Sequence, residues 1–187
     1  IETAFLDTCF KIRGAVKPST PVVIVAVDDN SVFTYGRWPW SRERMATLVD
    51  KLSKAKASVI AFDIVFPPIK DNTGRQSHGD KLFARAAKES GNVIFPIYFR
   101  LKPDKEEAEV PIPQSVNSSS FLLFDDIQYM KELNLPKGYT LFPTDEILAA
   151  GASGVGHVNT ILDKDNSIRF EPLIIEYREQ YFPTLSI

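Results

Sequence analysis

The sequence has little of several features on which common protein classes depend. Its single cysteine, Cys9, rules out an internal disulfide and lies among apolar residues, as a small hydrophobe would. No apolar run approaches the ~18 residues that a transmembrane helix needs, and the longest, 22–27, has the length of a buried strand. Lys and Arg total 22 against 24 Asp and Glu, with no basic block, which argues against nucleic acid as the main partner.

Catalytic motifs are also missing. The chain has only two histidines, no glycine-rich phosphate loop follows a predicted strand, and no known nucleophile motif fits the spacing. We therefore expect no enzymatic activity, no cofactor and no metal ion.

What is present suits one folded domain. A length of 187 residues and a hydrophobic content of 44% allow one sizeable core, so we predict a single domain over 1–187. The chain starts at Ile1 without a methionine, and near its end Pro183 could open a new helix. We expect it to be a piece of a longer protein.

In the first half of the chain, segments with the hydrophobic pattern of a helix alternate with segments typical of a strand. The predicted elements are helix 1–13, strand 22–27, helix 41–52, strand 58–66, helix 80–90 and strand 92–99. The run 22–27 is continuous and β-branched, which predicts a core strand buried on both faces. Strands and helices alternating at these lengths favour parallel strands joined by right-handed crossovers.

The second half has a different composition. Residues 100–120 are rich in Lys, Glu, Pro and Ser, which predicts an exposed, mobile insertion outside the core. The further predictions are a strand or short helix in 121–133, a helix over 144–150, and strands 155–160, 168–170 and 173–177. We predict an α/β layered sandwich with a mixed, partly parallel sheet, helices on both faces and an antiparallel C-terminal meander.

Both tryptophans lie in one loop. The segment Gly36–Arg42 joins the first predicted strand to the next helix and reads Gly-Arg-Trp-Pro-Trp-Ser-Arg. A rigid Trp-Pro-Trp turn beside a guanidinium is either a packed lid over the core or a platform that grips a ligand. The packed interpretation places the loop between strand 22–27 and the helix that begins near Ser41.

Other polar side chains offer a competing, enzymatic interpretation. Asp28 and Asp29 close the first predicted strand and Asp63 lies in the second, so their carboxylates could converge at the carboxyl ends of parallel strands. Such a group could hold a divalent metal for hydrolysis. The structural interpretation makes Asp28 and Asp29 turn and cap residues, and lets Asp63 accept backbone donors or pair with Arg42.

Near the C-terminus, two further polar residues can be interpreted either as ligand-binding or as structural. His157 lies in a predicted strand, where a hydrogen-bonded core histidine is the alternative to a ligand-binding one. Asn159 follows it, and Arg169 is expected to pair with Asp165 across the turn 163–167. The candidate ligand-binding residues are Asp28, Asp29, Trp38, Trp40, Arg42, Asp63, His157 and Asn159.

The order of these motifs resembles the type-two CHASE domain, a sensory module of bacterial cyclases, histidine kinases and related receptors. The resemblance rests on Val-Val-Ile-Val-Ala-Val-Asp-Asp (22–29), the tryptophan loop (36–42), Ala-Phe-Asp-Ile-Val-Phe (61–66), Gly-His-Val-Asn (156–159) and Asp-Lys-Asp-Asn-Ser-Ile-Arg (163–169). The chain departs from the family pattern at Ser41, where Pro is frequent, and at Asn166 and Ser167, where Asp-Gly is usual. Asn tolerates positive φ nearly as Gly does.

The resemblance implies an extracytoplasmic input domain of a membrane-bound receptor. It implies flanking transmembrane helices, a membrane-proximal first helix and a cytoplasmic catalytic output domain. We expect a small molecule or periplasmic protein as the ligand, and a homodimer in the full receptor with helix 1–13 near the interface. The metal-dependent hydrolase using Asp28, Asp29 and Asp63 is the alternative function.

Overall fold

A computed structural model describes residues 2–68, 77–103, 111–120 and 134–186. The chain divides into two units, Ile1–Pro39 and Trp40–Ile187. The predicted element in 121–133 lies outside the described residues. The described helices and strands together form a mixed α/β structure with parallel and antiparallel pairing, as the sequence predicted.

The first unit contains two helices, α1 (Glu2–Arg13) and α2 (Asp29–Tyr35). Helix α1 matches the predicted helix 1–13, and Gly14, just after it, has a φ of 66°. Helix α2 was not predicted. It starts where Asp28 takes the N-cap position, and the Asp28 carboxylate accepts a hydrogen bond from the Ser31 amide at 2.8 Å.

The predicted strand 22–27 is wrong in this structure. These residues have no regular secondary structure, and Val22, Val23 and Ile24 are between 75% and 87% exposed. A β-branched run favours extended backbone, but a strand forms only when a neighbouring strand takes its N–H and C=O groups. The described residues of the first unit supply only helices and irregular chain, so the run has no such neighbour within its unit.

The second unit is built on a four-stranded sheet with a central strand. Its elements are α3 (Arg42–Lys54), β1 (Ile60–Ala61), α4 (His78–Ser90), β2 (Val93–Arg100), α5 (Gln114–Asn117), β3 (Thr140–Phe142), α6 (Glu146–Gly151), β4 (Gly154–His157), β5 (Ile174–Tyr177) and β6 (Gln180–Pro183). Strand β2 pairs in parallel with β1 and β4, and antiparallel with β3. Strands β5 and β6 form a separate antiparallel hairpin.

Strand β4 corrects the predicted meander. We expected 155–160 to join an antiparallel arrangement, but Ile94 to Ile97 of β2 pair in parallel with Gly154 to His157. The antiparallel part is the β5–β6 hairpin alone, and residues 168–170 form no strand. The short helix α6 brings the chain to the end of the sheet at which β2 begins. From there β4 runs in the same direction as β2.

Four phenylalanine rings make the centre of the core. Phe62, Phe66, Phe83 and Phe95 have ring centroids 5.2–5.9 Å apart, mostly edge to face, and each is at most 7% exposed. Helices α3 and α4 cover this cluster with Met45, Val49, Ala84 and Ala87. Helix α4 ends at Gly91 in the left-handed conformation, and Gly91 was predicted as its end. Its complete capping box at Ser77 was not predicted.

Part of the predicted insertion belongs to the core. Helix α5 lies inside 100–120, and its Val116 is completely buried. The serine-rich composition masked this contribution, because a single apolar side chain in a polar stretch gives no periodic signal.

Candidate functional site

An open cleft lies at the carboxyl ends of the parallel strands β2 and β4. It has a volume of about 540 Å³, within the range of small-molecule sites. Its lining residues are Leu101, Lys102, Asn134, Leu135, Pro136, Lys137, Thr160, Ile161 and Leu162. Residues 101–102 follow β2, residues 160–162 follow β4, and residues 134–137 precede β3. We call it the carboxyl-end cleft, since open parallel sheets bind ligands at this edge.

Asn159 fixes the two strands where they enter the cleft. Its side-chain carbonyl accepts from the Phe99 amide at 2.9 Å, and its Nδ2 donates to the Phe99 carbonyl at 2.5 Å. The side chain therefore acts as one more rung of the β2–β4 ladder, after the Val158 amide has bonded to the Ile97 carbonyl at 3.0 Å. Asn159 is 2% exposed, and these bonds give it a positioning role at the cleft.

Segment 134–137 forms the third wall of the cleft, and backbone hydrogen bonds hold it on both sides. The Gly138 amide donates to the Glu176 carbonyl at 2.8 Å, and the Glu176 amide donates to the Pro136 carbonyl at 3.0 Å. The Tyr139 amide donates to the Arg100 carbonyl at 2.8 Å. Segment 134–137 is thereby fixed between β5 and the end of β2, and the cleft is largely pre-formed.

The charged side chains in the described lining of the cleft are both cationic. Lys102 and Lys137 line it, and no Asp or Glu belongs to its described lining. Among the described residues, Glu176 is the carboxylate near Lys137, with its Oε2 3.9 Å from the lysine Nζ. That separation is at the outer limit of an ion pair, and the lysine side chain is 65% exposed, so the pair is weak.

A smaller cleft of about 380 Å³ lies between α5 and α6. Four serines, Gln114 and Glu146 supply its polar lining. It lies at the amino end of β4, where its lining includes Gly154, away from the strand ends that bind ligands in parallel sheets.

The family comparison agrees with the sequence. The CHASE2 domain model matches residues 1–187, which is the whole chain. The chain belongs to the CHASE2 domain family. CHASE2 domains are extracellular sensory domains of signalling receptors, and they are sensory rather than catalytic. Searches of curated proteins and of solved structures returned no match.

Among the helices described, none combines the length and the apolar character required to cross a bilayer. The described residues also contain no group of three or more His, Cys, Asp or Glu side chains that could hold a metal ion.

The predicted site residues of this CHASE2 chain fall into both units. Asp28, Asp29 and Trp38 belong to the first unit, where Asp28 caps α2, Asp29 opens its first turn and Trp38 is 37% exposed. The capping role of Asp28 matches the structural interpretation. Its hydrogen bonds from the Ser31 hydroxyl and amide hold the pKa of this carboxyl below its usual value.

In the second unit, Trp40 and Arg42 make contacts within the fold. Trp40 is half-buried against the core, with the Arg44 guanidinium 5.5 Å from its ring centroid. Arg42 donates from Nε to Asp80 Oδ1 at 3.2 Å and from Nη2 to the Pro67 carbonyl at 3.1 Å.

Pairing with Arg42 was one of the two structural alternatives for Asp63, and Arg42 instead pairs with Asp80. Asp63 is exposed, whereas Asp80 is completely buried and receives hydrogen bonds from the Ser77 hydroxyl and amide. The pairing links the first residue of α3 to the first turn of α4. Sequence reasoning missed Asp80 because its carboxylate fits an ordinary helix cap, and only the packing of the two helices supplies the guanidinium.

His157 lies at the end of β4 and is completely buried. Neither ring nitrogen has a hydrogen-bond partner in the part of the chain that the structure describes. Burial lowers the pKa of His157 to about 4, while the negative charge of Glu171 acts in the opposite direction. The imidazole is therefore neutral at physiological pH. The structural interpretation had predicted a hydrogen-bonded core histidine, and the hydrogen bonds are missing.

His157 also connects β4 to the C-terminal segment. The Leu185 amide donates to the His157 carbonyl at 2.9 Å. The Thr184 hydroxyl donates to Glu171 Oε1 at 2.7 Å, and the Ser186 hydroxyl lies 3.0 Å from the same oxygen. Residues that follow β6 thus pair with the strand that ends at the carboxyl-end cleft.

The loop after the cleft is held by the predicted turn. Arg169 binds Asp165 through Nη2 at 2.7 Å and Asp163 through Nη1 at 2.7 Å, which confirms the expected pairing with Asp165. Asn166 has a φ of 61°, a left-handed conformation that Asn tolerates better than most residues. Hydrogen bonds from Arg169 and from the Ser167 amide hold the pKa of Asp165 well below its usual value.

Proposed function

We propose that this CHASE2 chain is the input domain of a membrane-bound bacterial receptor. It lies on the periplasmic or extracellular face of the cytoplasmic membrane, between transmembrane helices. The output is a cytoplasmic adenylate or diguanylate cyclase, histidine kinase or Ser/Thr kinase. The observation that carries the proposal is the family match across all 187 residues, because the family is one of receptor sensory domains.

The sensory site in this proposal is the carboxyl-end cleft. Its walls come from β2, β4 and the segment before β3, so one ligand can contact three chain segments at once. Because β4 also pairs with residues 184 and 185, a ligand that shifts β4 also acts on the C-terminal segment. A ligand changes the signal only if it binds one of two states of the domain more tightly than the other.

The receptor is proposed to act as a homodimer through α1. Phe5 and Ile12 on this helix are 70% and 81% exposed, and a partner helix would cover them. Single cysteines along 3–12, with Cys9 replaced, should cross-link in the intact receptor with a period near 3.5 residues. A flat profile would argue for another interface.

Filling the cleft tests its sensory role without knowledge of the ligand. Thr160 is exposed and lines the carboxyl-end cleft, so Thr160→Trp should occupy part of the ligand space. Ala150→Trp is the matched control, since Ala150 is exposed and lines the smaller cleft between α5 and α6. The readout is the output activity of the intact receptor in cells, measured as cyclic nucleotide or phosphorylated product.

We expect Thr160→Trp to remove the change in output that the native signal produces, and Ala150→Trp to leave it. The proposal fails if Thr160→Trp responds like the parent while its circular dichroism and melting temperature stay normal.

A further inference from the structure

We propose that the carboxyl-end cleft binds a small amphipathic anion, which carries one carboxylate or phosphate group on an apolar tail. This inference rests on the proposed function, since it assigns a ligand class to the same site. It follows from the chemistry of the lining residues and from the way the cleft is held open.

The charge of the lining selects an anion. The chain as a whole has a formal net charge of -2, yet the cleft presents Lys102 and Lys137 and no carboxylate among its described lining. Two cationic side chains on one cleft attract anions and repel cations.

The existing partner of Lys137 does not block this role. The Glu176 carboxylate lies 3.9 Å from the Lys137 Nζ, and the lysine side chain is mostly exposed. Its flexible side chain can turn toward a ligand at little cost, because an exposed pair at this distance contributes little. The backbone of segment 136–138 stays bonded to β5 whichever way the side chain turns.

The remaining lining selects an apolar tail. Ile161 is 41% exposed and Leu162 is 54% exposed, and they share the cleft with Leu101 and Leu135. Contiguous exposed aliphatic side chains beside charged groups are typical of ligand grooves. An unbranched alkyl chain would cover them, while Thr160 and Asn134 supply polar contacts near the charged group.

The test uses probes that differ only in the head group. Octanoate and octyl phosphate represent the two sources of negative charge, and octanol and octylamine have the same tail without it. Binding to the chain is measured by isothermal titration calorimetry below the micelle concentrations. We expect octanoate or octyl phosphate to bind at least about tenfold more tightly than octanol, and octylamine to show no binding.

Charge-reversal variants locate the binding site. Lys102→Glu and Lys137→Glu should each weaken binding of the anionic probe by about tenfold. Lys88→Glu makes the same change in net charge at an exposed position on α4 and should leave binding unchanged. If Lys137→Glu lowers the melting temperature because of Glu176, Lys137→Gln replaces it and should still weaken binding.

Four outcomes contradict the inference: no saturable binding of either anion, equal binding of octanol, tighter binding of octylamine, or equal losses in Lys88→Glu and Lys102→Glu. Any of these overturns the ligand class alone. The proposed function fails separately, through a normal response of the Thr160→Trp receptor.

Discussion

Acidification should destabilise this domain through one buried side chain, His157. In the folded chain its pKa is lowered to about 4, whereas the ordinary value is 6.5. Between these two pH values the unfolded chain holds more protons than the folded chain, so stability falls as the pH falls. The loss begins as the pH drops through 6.5 and is complete below about 4.

The size of the effect follows from the two pKa values. At ~1.4 kcal/mol per pH unit, the full loss is about 3 kcal/mol. Most of it, about 2 kcal/mol, should already be lost at pH 5, before most carboxylates begin to titrate. This is a large fraction of the 5–15 kcal/mol that holds a typical domain folded.

The assay is urea unfolding, followed by circular dichroism, at half-unit steps from pH 7.5 to pH 5. His157→Phe removes the titrating group and keeps an aromatic ring beside Phe99, whose centroid lies 6.5 Å away. Its free energy of unfolding should change much less with pH in this range than that of the parent. The other histidine gives the control, and His78→Gln should retain the loss.

The reasoning would be refuted if His157→Phe lost as much stability as the parent between pH 7.5 and pH 5. It would also be refuted if the parent showed no loss in that range, because the buried imidazole would then have a partner for its proton. The negative charge of Glu171 favours protonated His157 in the folded chain. Glu171→Gln should therefore increase the loss of stability at low pH.

Three substitutions test the packing of the second unit by urea unfolding at pH 7.5. Asp80→Ala should cost about 3 kcal/mol or more, because it leaves a guanidinium without its buried partner, whereas Glu89→Ala on the exposed face of the same helix should be nearly neutral. Gly156→Ala should cost about 1–3 kcal/mol, since a Cβ there would lie 2.7 Å from the backbone that follows β6. Gly154→Ala in the same strand meets open space and should be tolerated. Trp40→Ala should cost about 2–3 kcal/mol, less than for a fully buried ring, and a parent-like stability would disprove its packing on the core.

Sequence reasoning succeeded where local chemistry decides the structure. Helix α4 was predicted with its terminal Gly91, and β2 was predicted as a strand over 92–99. The turn at Asn166 and the Arg169–Asp165 pair follow from residues within six positions of each other. Such features need no knowledge of the rest of the chain.

It failed where the answer depends on partners distant in the sequence. Segment 22–27 has strand propensity but no neighbouring strand in its unit, and β4 has the length of a hairpin strand but pairs in parallel with β2. Asp80 and Arg42 are 38 positions apart, and neither is unusual in its own helix. Their pairing depends on how α3 packs against α4.

The carboxyl-end cleft was missed for the same reason. Lys102 and Lys137 lie in or beside polar stretches where charged residues are common, and no spacing rule joins them. Only Asn159, of the predicted site residues, lies next to the cleft lining. We expected a site at the carboxyl ends of the strands that carry aspartates, whereas the cleft lies at the carboxyl ends of β2 and β4.

The two hydrogen bonds of the Asn159 side chain mark the boundary between the sheet and the loop that follows β4. The residues of β4, which precede Asn159, pair with the sheet. The residues after Asn159 begin a loop whose turn is held by Arg169. Mutations at 160–162 therefore change the wall of the cleft without removing a sheet hydrogen bond. Under the proposed function, such mutations would change which ligand is detected while the sheet stays the same.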